Sequence, residues 1–249
     1  MSGECTIVLS DTQIPLHDKR AMSAFYDMVK DRENMFAKLF QIGDMFNLDS
    51  VSRWNDGTPA ESGVDLQREL DSGIKFLEDV GKAYGGPKEY IMGNHDDRLH
   101  SYTGRKAHGL HGIKALDFET LTGTRDYGWV CKPQPYRVRP DTIAVHGMSV
   151  RSRSGYTATA HVDRFHPLNV VHGHTHRAGT VWRTSGMGAR SWGMEVGHMM
   201  DERQATYGMG FDWQKGFGVL WHDGNKTLPE FVPVDRDGSF RFDGLRWKP

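Results

Sequence analysis

Apolar residues in the first half of the chain fall into two alternating patterns. Short continuous runs, Thr6 to Ser10 (TIVLS), Phe36 to Ile42 and Glu89 to Met92, read as buried strands. Between them lie stretches whose apolar positions recur at spacings of three and four. In Asp18 to Lys30 the residues Met22, Phe25, Tyr26 and Val29 share one helical face, and Leu66, Leu70, Ile74, Leu77, Val80 and Tyr84 do so in the next. Ser62 is available to cap that second helix, and Gly85-Gly86-Pro87 stops it. Thr142 to Val145 and Asn169 to Val171 predict two further strands, while 100–130 reads as short helices and loops. From about residue 179 strand follows strand: Gly179 to Thr184, Ser191 to Val196, Phe217 to Trp221, Thr227 to Val234 and Ser239 to Phe242. Asp223-Gly224 and Asp237-Gly238 supply turn signals among them.

Strands alternating with helices, then a strand-rich end, predict an α/β fold in which two mixed β-sheets pack as a sandwich flanked by helices. No Pro-, Gly- or Ser-rich linker and no internal repeat breaks the 249 residues. A single domain over 1–249 is expected, with the chemistry-bearing loops in 6–177 and a strand-rich part in 178–249.

Composition changes this picture little. Hydrophobic residues make up 37% and charged residues 25%, which excludes a disordered chain. Cys5 and Cys131 are far apart and form no CxxC, so neither a disulfide framework nor a zinc knuckle is indicated. No run approaches the roughly 18 apolar residues of a membrane span, and no membrane partner is expected. A cytoplasmic location, in a bacterial or phage-infected host cell, is the expectation. The seven tryptophans, among them Trp54, Trp213 and Trp221, are expected in the core rather than as base-stacking platforms.

Charge and histidine content are more informative. The net charge of −1 conceals a middle segment, 98–190, with 14 Lys/Arg against 5 Asp/Glu, while 1–97 carries 10 against 18. Ten of the thirteen histidines lie in 95–111 and 146–176, largely inside the same basic segment. An anionic substrate held near histidines is electrostatically sensible, whereas nucleic-acid binding by the chain as a whole is not supported.

Ligand-type residues follow the predicted strands. Asp11 and Gln13 come after the first, Gly43-Asp44 after the second and Gly93-Asn94-His95-Asp96 after the third. His146 follows the fourth, and His172-Gly173-His174-Thr175-His176 the fifth. Strand C-terminal ends in an open α/β sheet converge on one edge, so five loops would bring Asp, Gln, Asn and His side chains together. Mixed oxygen and nitrogen donors suit Mn²⁺, Fe or Zn²⁺, and a carboxylate able to bridge suggests two ions.

In this order the motifs resemble the calcineurin-like metallophosphoesterases, whose pattern is D-x-H, GD-x-x-D, GNH-D/E, a single His and GH-x-H. Here they read Asp11-Thr12-Gln13, Gly43-Asp44-Met45-Phe46-Asn47, Gly93-Asn94-His95-Asp96, His146 and Gly173-His174-Thr175-His176. The surrounding text is most similar to phage- and prophage-encoded members. The resemblance implies that Asp11, Gln13 and His176 ligate one divalent metal ion and Asn94, His146 and His174 another, with Asp44 bridging. It implies attack by a metal-bridging hydroxide, with catalytic His95 protonating the leaving oxygen. Gln13 replaces the usual His and favours Mn²⁺, with Fe, Zn²⁺, Ni²⁺ or Mg²⁺ as alternatives. Asn47 replaces an Asp that orients the catalytic His. Asp96, Arg98 and His172 are further substrate-binding or supporting candidates, Arg98 as a phosphate clamp.

The expected function is hydrolysis of phosphodiesters, with a nucleotide, a cyclic nucleotide or nucleic acid as substrate. A phosphomonoesterase is the second reading, a DNA-end exonuclease the third, and a scaffold that has lost catalysis the fourth. Oligomeric state is not legible.

Overall fold

Ile7, Val8 and Leu9 show how the molecule is layered. In an extended strand successive side chains face opposite ways. Ile7 and Leu9 join a core shared with the first two helices, while Val8 joins one shared with a second sheet. A computed structural model describes residues 4–58, 65–147, 149–205 and 212–249. Ser62 lies outside the described residues.

The first sheet has six strands. β1 (Cys5–Leu9), β2 (Phe36–Ile42), β3 (Lys88–Ile91) and β4 (Trp129–Cys131) are parallel, and β10 (Gly216–Asp223) and β11 (Lys226–Pro233) extend it antiparallel beyond β1. The second sheet runs in the order β5 (Tyr136–Arg139), β6 (Thr142–Val145), β7 (Asn169–His172), β9 (Arg190–Val196), β8 (Ala178–Thr184), with β6, β7 and β9 parallel. Phe40, Ile42 and Leu220 of the first sheet pack against Val171, Trp192 and Met194 of the second. Helices α1 (Lys19–Asp31) and α2 (Leu66–Ala83) bury Met22, Phe25, Met28, Phe76, Leu77 and Val80 on the outer face of the first sheet. The short α3 (Arg98–Lys106) and α4 (Phe118–Thr122) follow β3, α5 (Tyr156–Phe165) packs on the second sheet, and β12 (Phe240–Phe242) and β13 (Leu245–Trp247) form a terminal hairpin. The architecture is therefore the α/β sandwich of two mixed sheets expected from the pattern.

Three strands carried no legible pattern. β4 and β13 have three residues each, too short for a period, and β5 reads Tyr-Arg-Val-Arg, whose charged positions suit the sheet edge it occupies. Tryptophan behaviour also divides. Trp129 and Trp192 are buried, and Trp213 and Trp221 half-buried, but Trp54 is 73% exposed. It sits in a single 3-10 turn, Arg53–Asn55, with no sheet to cover it. The core expectation fails there and at Trp182 of β8, which is 62% exposed.

Two carboxylates, the half-buried Asp141 and the buried Asp18, hold the layers together. Asp141 accepts from Asn169 Nδ2 at the start of β7 (2.9 Å) and from Thr227 N of β11 (2.8 Å), so one side chain clamps both sheets at the end where β6 and β7 begin. Asp18 caps α1 by accepting from Arg20 N and Ala21 N, at 3.0 and 3.2 Å, and its other oxygen receives Lys215 Nζ at 2.7 Å. Burial disfavours its ionised form, but Lys215 and the cap N–H groups outweigh that and hold the carboxyl below the usual aspartate range. Asp18→Ala removes the cap and strands Lys215, so urea melts at pH 7 should show a loss of about 3 kcal/mol. Because the folded pKa lies below the unfolded one, this contribution is complete above the ordinary aspartate range. It disappears as pH falls through the folded value, so the gap between wild type and variant should shrink at low pH.

Candidate metal centre

The C-terminal ends of β1, β2 and β3 meet those of β6 and β7 along one edge of the sandwich. His146 Nδ1 donates to Ile42 O at 2.8 Å, and His174 N donates to Asp11 Oδ2 at 2.9 Å, so the two sheets touch through the site itself. With Nδ1 committed to Ile42 O, Nε2 is the nitrogen that His146 turns to the centre. That nitrogen lies 3.2 Å from Asp44 Oδ2 and 3.2 Å from Asn94 Oδ1. Asp44, His146 and His174 each offer a donor atom within 4.8 Å of the others. On the other side, His176 Nε2 lies 3.2 Å from Asp11 Oδ1 and 3.1 Å from the Gln13 amide. The structure thus brings together Asp11, Gln13, Asp44, Asn94, His146, His174 and His176.

The backbone goes out of its way to do this. Asp11, Gln13, Asp44, His174 and His176 all have positive φ, between 44° and 71°. Each costs on the order of 1–2 kcal/mol for a residue with a Cβ, and such residues cluster where function demands the geometry. Two glycines allow the loops to close. A Cβ on Gly173 would sit 1.8 Å from Ser10 Oγ and 2.6 Å from Asp11 Oδ2, and one on Gly93 would sit 2.0 Å from Asp44 Oδ1.

Electrostatically the site is built around two buried carboxylates. Burial opposes the charge on Asp11 and Asp44, yet neighbouring imidazoles hold both below the usual range, His176 chiefly for Asp11 and His146 for Asp44. Conversely, burial disfavours a charged His146, and Asp44 overcomes it and lifts that imidazole well above its ordinary value. No Lys or Arg pairs with either aspartate among the described residues. Asp11 Oδ1 is buried without a hydrogen-bond partner. Two buried anions without a Lys or Arg partner among the described residues, ringed by imidazole and amide donors, form a donor set suited to divalent cations.

His95 stands beside this cluster. Its Nδ1 is 3.0 Å from Asn47 Oδ1 and its Nε2 is 3.2 Å from Arg98 Nη2. Since a guanidinium only donates, Nε2 accepts and Nδ1–H donates to Asn47. Burial lowers the pKa of His95 to about 4, with Asp44 opposing and Arg98 adding to the shift. Arg98 is braced by Asn47 O (2.6 Å) and Asp49 Oδ1 (3.3 Å).

Two other candidates lie apart from the donor set. Asp96 spends both oxygens on backbone, accepting from Phe46 N (3.0 Å) and Gly93 N (2.8 Å), and so ties the GNHD turn to the loop after β2. Burial, helped by the Asp44 charge, raises its pKa to about 7. His172 is fully buried, donates from Nδ1 to Gly173 O (3.0 Å) and stacks on His161 with ring centres 4.4 Å apart.

Several supporting residues were not legible in the sequence. Ser10 Oγ donates to Asp11 Oδ2. Glu195 accepts from Thr175 Oγ1 (3.0 Å) and from Gly155 N, which fixes the turn carrying His174 and His176. The His198 and Trp213 rings pack on His176, at 5.6 and 4.5 Å. The one available signal was a lone carboxylate, Glu195, in the otherwise apolar run Trp192 to Val196.

No family model matches the chain. It is 34% identical to the Gene 54 protein of Mycobacterium phage D29 and 33% identical to that of Mycobacterium phage L5, covering 97% of this chain and 98% of each relative. Among solved structures, Chaetomium thermophilum Vps29 aligns over 100% of this chain and 99% of its own, at 11% identity and TM-score 0.47. A conserved uncharacterized protein of Streptococcus pneumoniae TIGR4, a predicted phosphoesterase, aligns over 99% and 97%, at 12% identity and TM-score 0.39. Likeness at that level adds nothing to the fold and site already described. Near-complete mutual coverage at one-third identity is of a different order, and by it the chain belongs to the family of the mycobacteriophage Gene 54 proteins.

Proposed function

We propose that this protein is a phosphoesterase of the calcineurin-like type, dependent on two divalent cations and directed at phosphodiesters. The observation that carries the reading is the pair of buried carboxylates, Asp11 and Asp44, ringed by imidazole and amide donors with no Lys or Arg paired to either among the described residues. Asp11, Gln13 and His176 would hold one ion, Asn94, His146 and His174 the other, and Asp44 both. The oxygen-rich set, with Gln13 in place of an imidazole, favours Mn²⁺. When bound, the ions supply a water brought towards neutrality in pKa and neutralise phosphoryl charge.

The chain's own residues do the rest. Arg98 presents a braced guanidinium next to His95, suited to a non-bridging phosphoryl oxygen. His95 is neutral at rest, and an anionic phosphoryl group beside Nε2 raises that nitrogen's affinity for a proton. The resulting imidazolium, held through Nδ1 by Asn47, can pass the Nε2 proton to the leaving oxygen. Asn47 orients the ring without adding charge, so this imidazolium is a stronger acid than one paired with a carboxylate.

A diester substrate is favoured over a monoester because Asn47-Leu48-Asp49 stands where protein phosphatases of the type carry an Asp and an Arg-Gly. The test compares a chromogenic phosphodiester with its matching monoester on Mn²⁺-loaded protein, with metal counting and a His95→Ala control. Faster turnover of the diester is expected, with His95→Ala keeping its ions and losing about 10²-fold in kcat. Preferential monoester turnover would favour the phosphatase reading. Bound ions with no turnover of either substrate would favour a scaffold.

A further inference from the structure

Beside the donor cluster lies a cleft of about 500 Å³ whose outer part the phosphoesterase reading does not use. Asn94 and Arg98 form its inner end, so it opens directly onto the candidate centre. Its outer wall carries Arg53, Trp54, Arg105 and His111. Trp54 is 73% exposed, and the Arg53 guanidinium lies 4.6 Å from its ring centre. Arg105 is braced by Asp56 at 3.2 Å, whereas Arg53 has no carboxylate partner among the described residues. Asp97 is the acidic member of the lining, against three arginines.

An exposed aromatic face flanked by arginines, in a groove leading to a phosphoryl site, is the arrangement that holds single-stranded nucleic acid: bases stack on the ring and the backbone follows the cations. The volume suits one nucleotide. We infer that this cleft is the binding site for the strand adjoining the scissile phosphodiester, with a base stacked on Trp54 and a neighbouring phosphate held by Arg53 and Arg105. The inference rests on the proposed phosphoesterase reading and narrows its substrate to single-stranded nucleic acid.

Fluorescein-labelled tetrathymidylate is titrated by anisotropy in EDTA, and its Mn²⁺-dependent hydrolysis is compared with that of methyl 4-nitrophenyl phosphate, which has no base and no second phosphate. Trp54→Ala should raise Kd for tetrathymidylate roughly tenfold, with Trp54→Phe retaining most of the affinity through its own ring. It should also raise the ratio of KM for tetrathymidylate to KM for the small ester by a similar factor. Arg53→Ala should flatten the salt dependence of binding. Wild-type protein that does not bind tetrathymidylate, or a Trp54→Ala variant that leaves that ratio where it was, overturns the inference. If neither ester is hydrolysed while Trp54-dependent binding persists, the cleft stands as a nucleic-acid site and the phosphoesterase reading is what fails.

Discussion

Asp44→Asn is expected to abolish metal-dependent phosphodiester hydrolysis, by a factor on the order of 10³ or more. Asp44 is the carboxylate proposed to serve both ions. Its Oδ2 lies 3.2 Å from His146 Nε2 and 3.7 Å from His95 Nε2, while Oδ1 accepts from His95 N at 2.8 Å. Asparagine preserves the shape and one acceptor, so the fold and the His95 backbone contact should survive. The lost negative charge removes several kcal/mol of cation stabilisation, which at about 1.4 kcal/mol per tenfold gives the stated factor. His146 should also lose its raised proton affinity, because Asp44 is what opposes the effect of burial there. Metal analysis of the purified variant should show fewer bound ions than wild type, with an unchanged far-ultraviolet spectrum. A variant with full metal content and full turnover would refute the assignment of this centre.

A single methyl group at Gly173 is expected to be nearly as damaging. An added Cβ has no room, since it would lie 1.8 Å from Ser10 Oγ and 2.6 Å from Asp11 Oδ2, both held in place by their mutual hydrogen bond. Either the turn carrying His174 and His176 or the turn carrying Asp11 must move. Overpacking of this kind costs about 1–3 kcal/mol in stability, and a displacement near 1 Å at a reacting centre costs about 10²-fold in rate. Gly173→Ala should therefore melt earlier and turn over about 100 times more slowly, while Gly186→Ala, where a Cβ meets nothing within 4 Å, should be neutral in both assays. Equal behaviour of the two variants would show that the tight approach of the loops is unimportant.

What could be read in the chain beforehand follows from how local each signal is. A strand such as Thr6 to Ser10 and the ligand-type residue right after it are adjacent in sequence, so position alone announces Asp11, Asp44, Asn94, His146, His174 and His176 as neighbours at a sheet edge. Glu195 and Asp141 act through partners 20 to 86 residues away, and nothing near them in the chain reveals the backbone N–H groups they receive. Asp96 is a substrate-binding or supporting candidate by its place after His95, and only the fold reveals that its oxygens are taken by Gly93 N and Phe46 N. Trp54 looked like core because tryptophans usually are. Its exposure depends on the single turn in which it stands, and hydrophobicity cannot register that.

The clamp at Asp141 has a consequence for the opposite end of the molecule. It pins the two sheets where β6 and β7 begin, and the candidate centre spans them where those strands finish. Asp11, Gln13, Asp44 and Asn94 come from one sheet, and His146, His174 and His176 from the other. Each proposed ion therefore draws on both, so the cations would act as rivets along a seam. Holding the metal and holding the sandwich shut would then be a single equilibrium, in which chelation would loosen one end of a structure still fastened at the other.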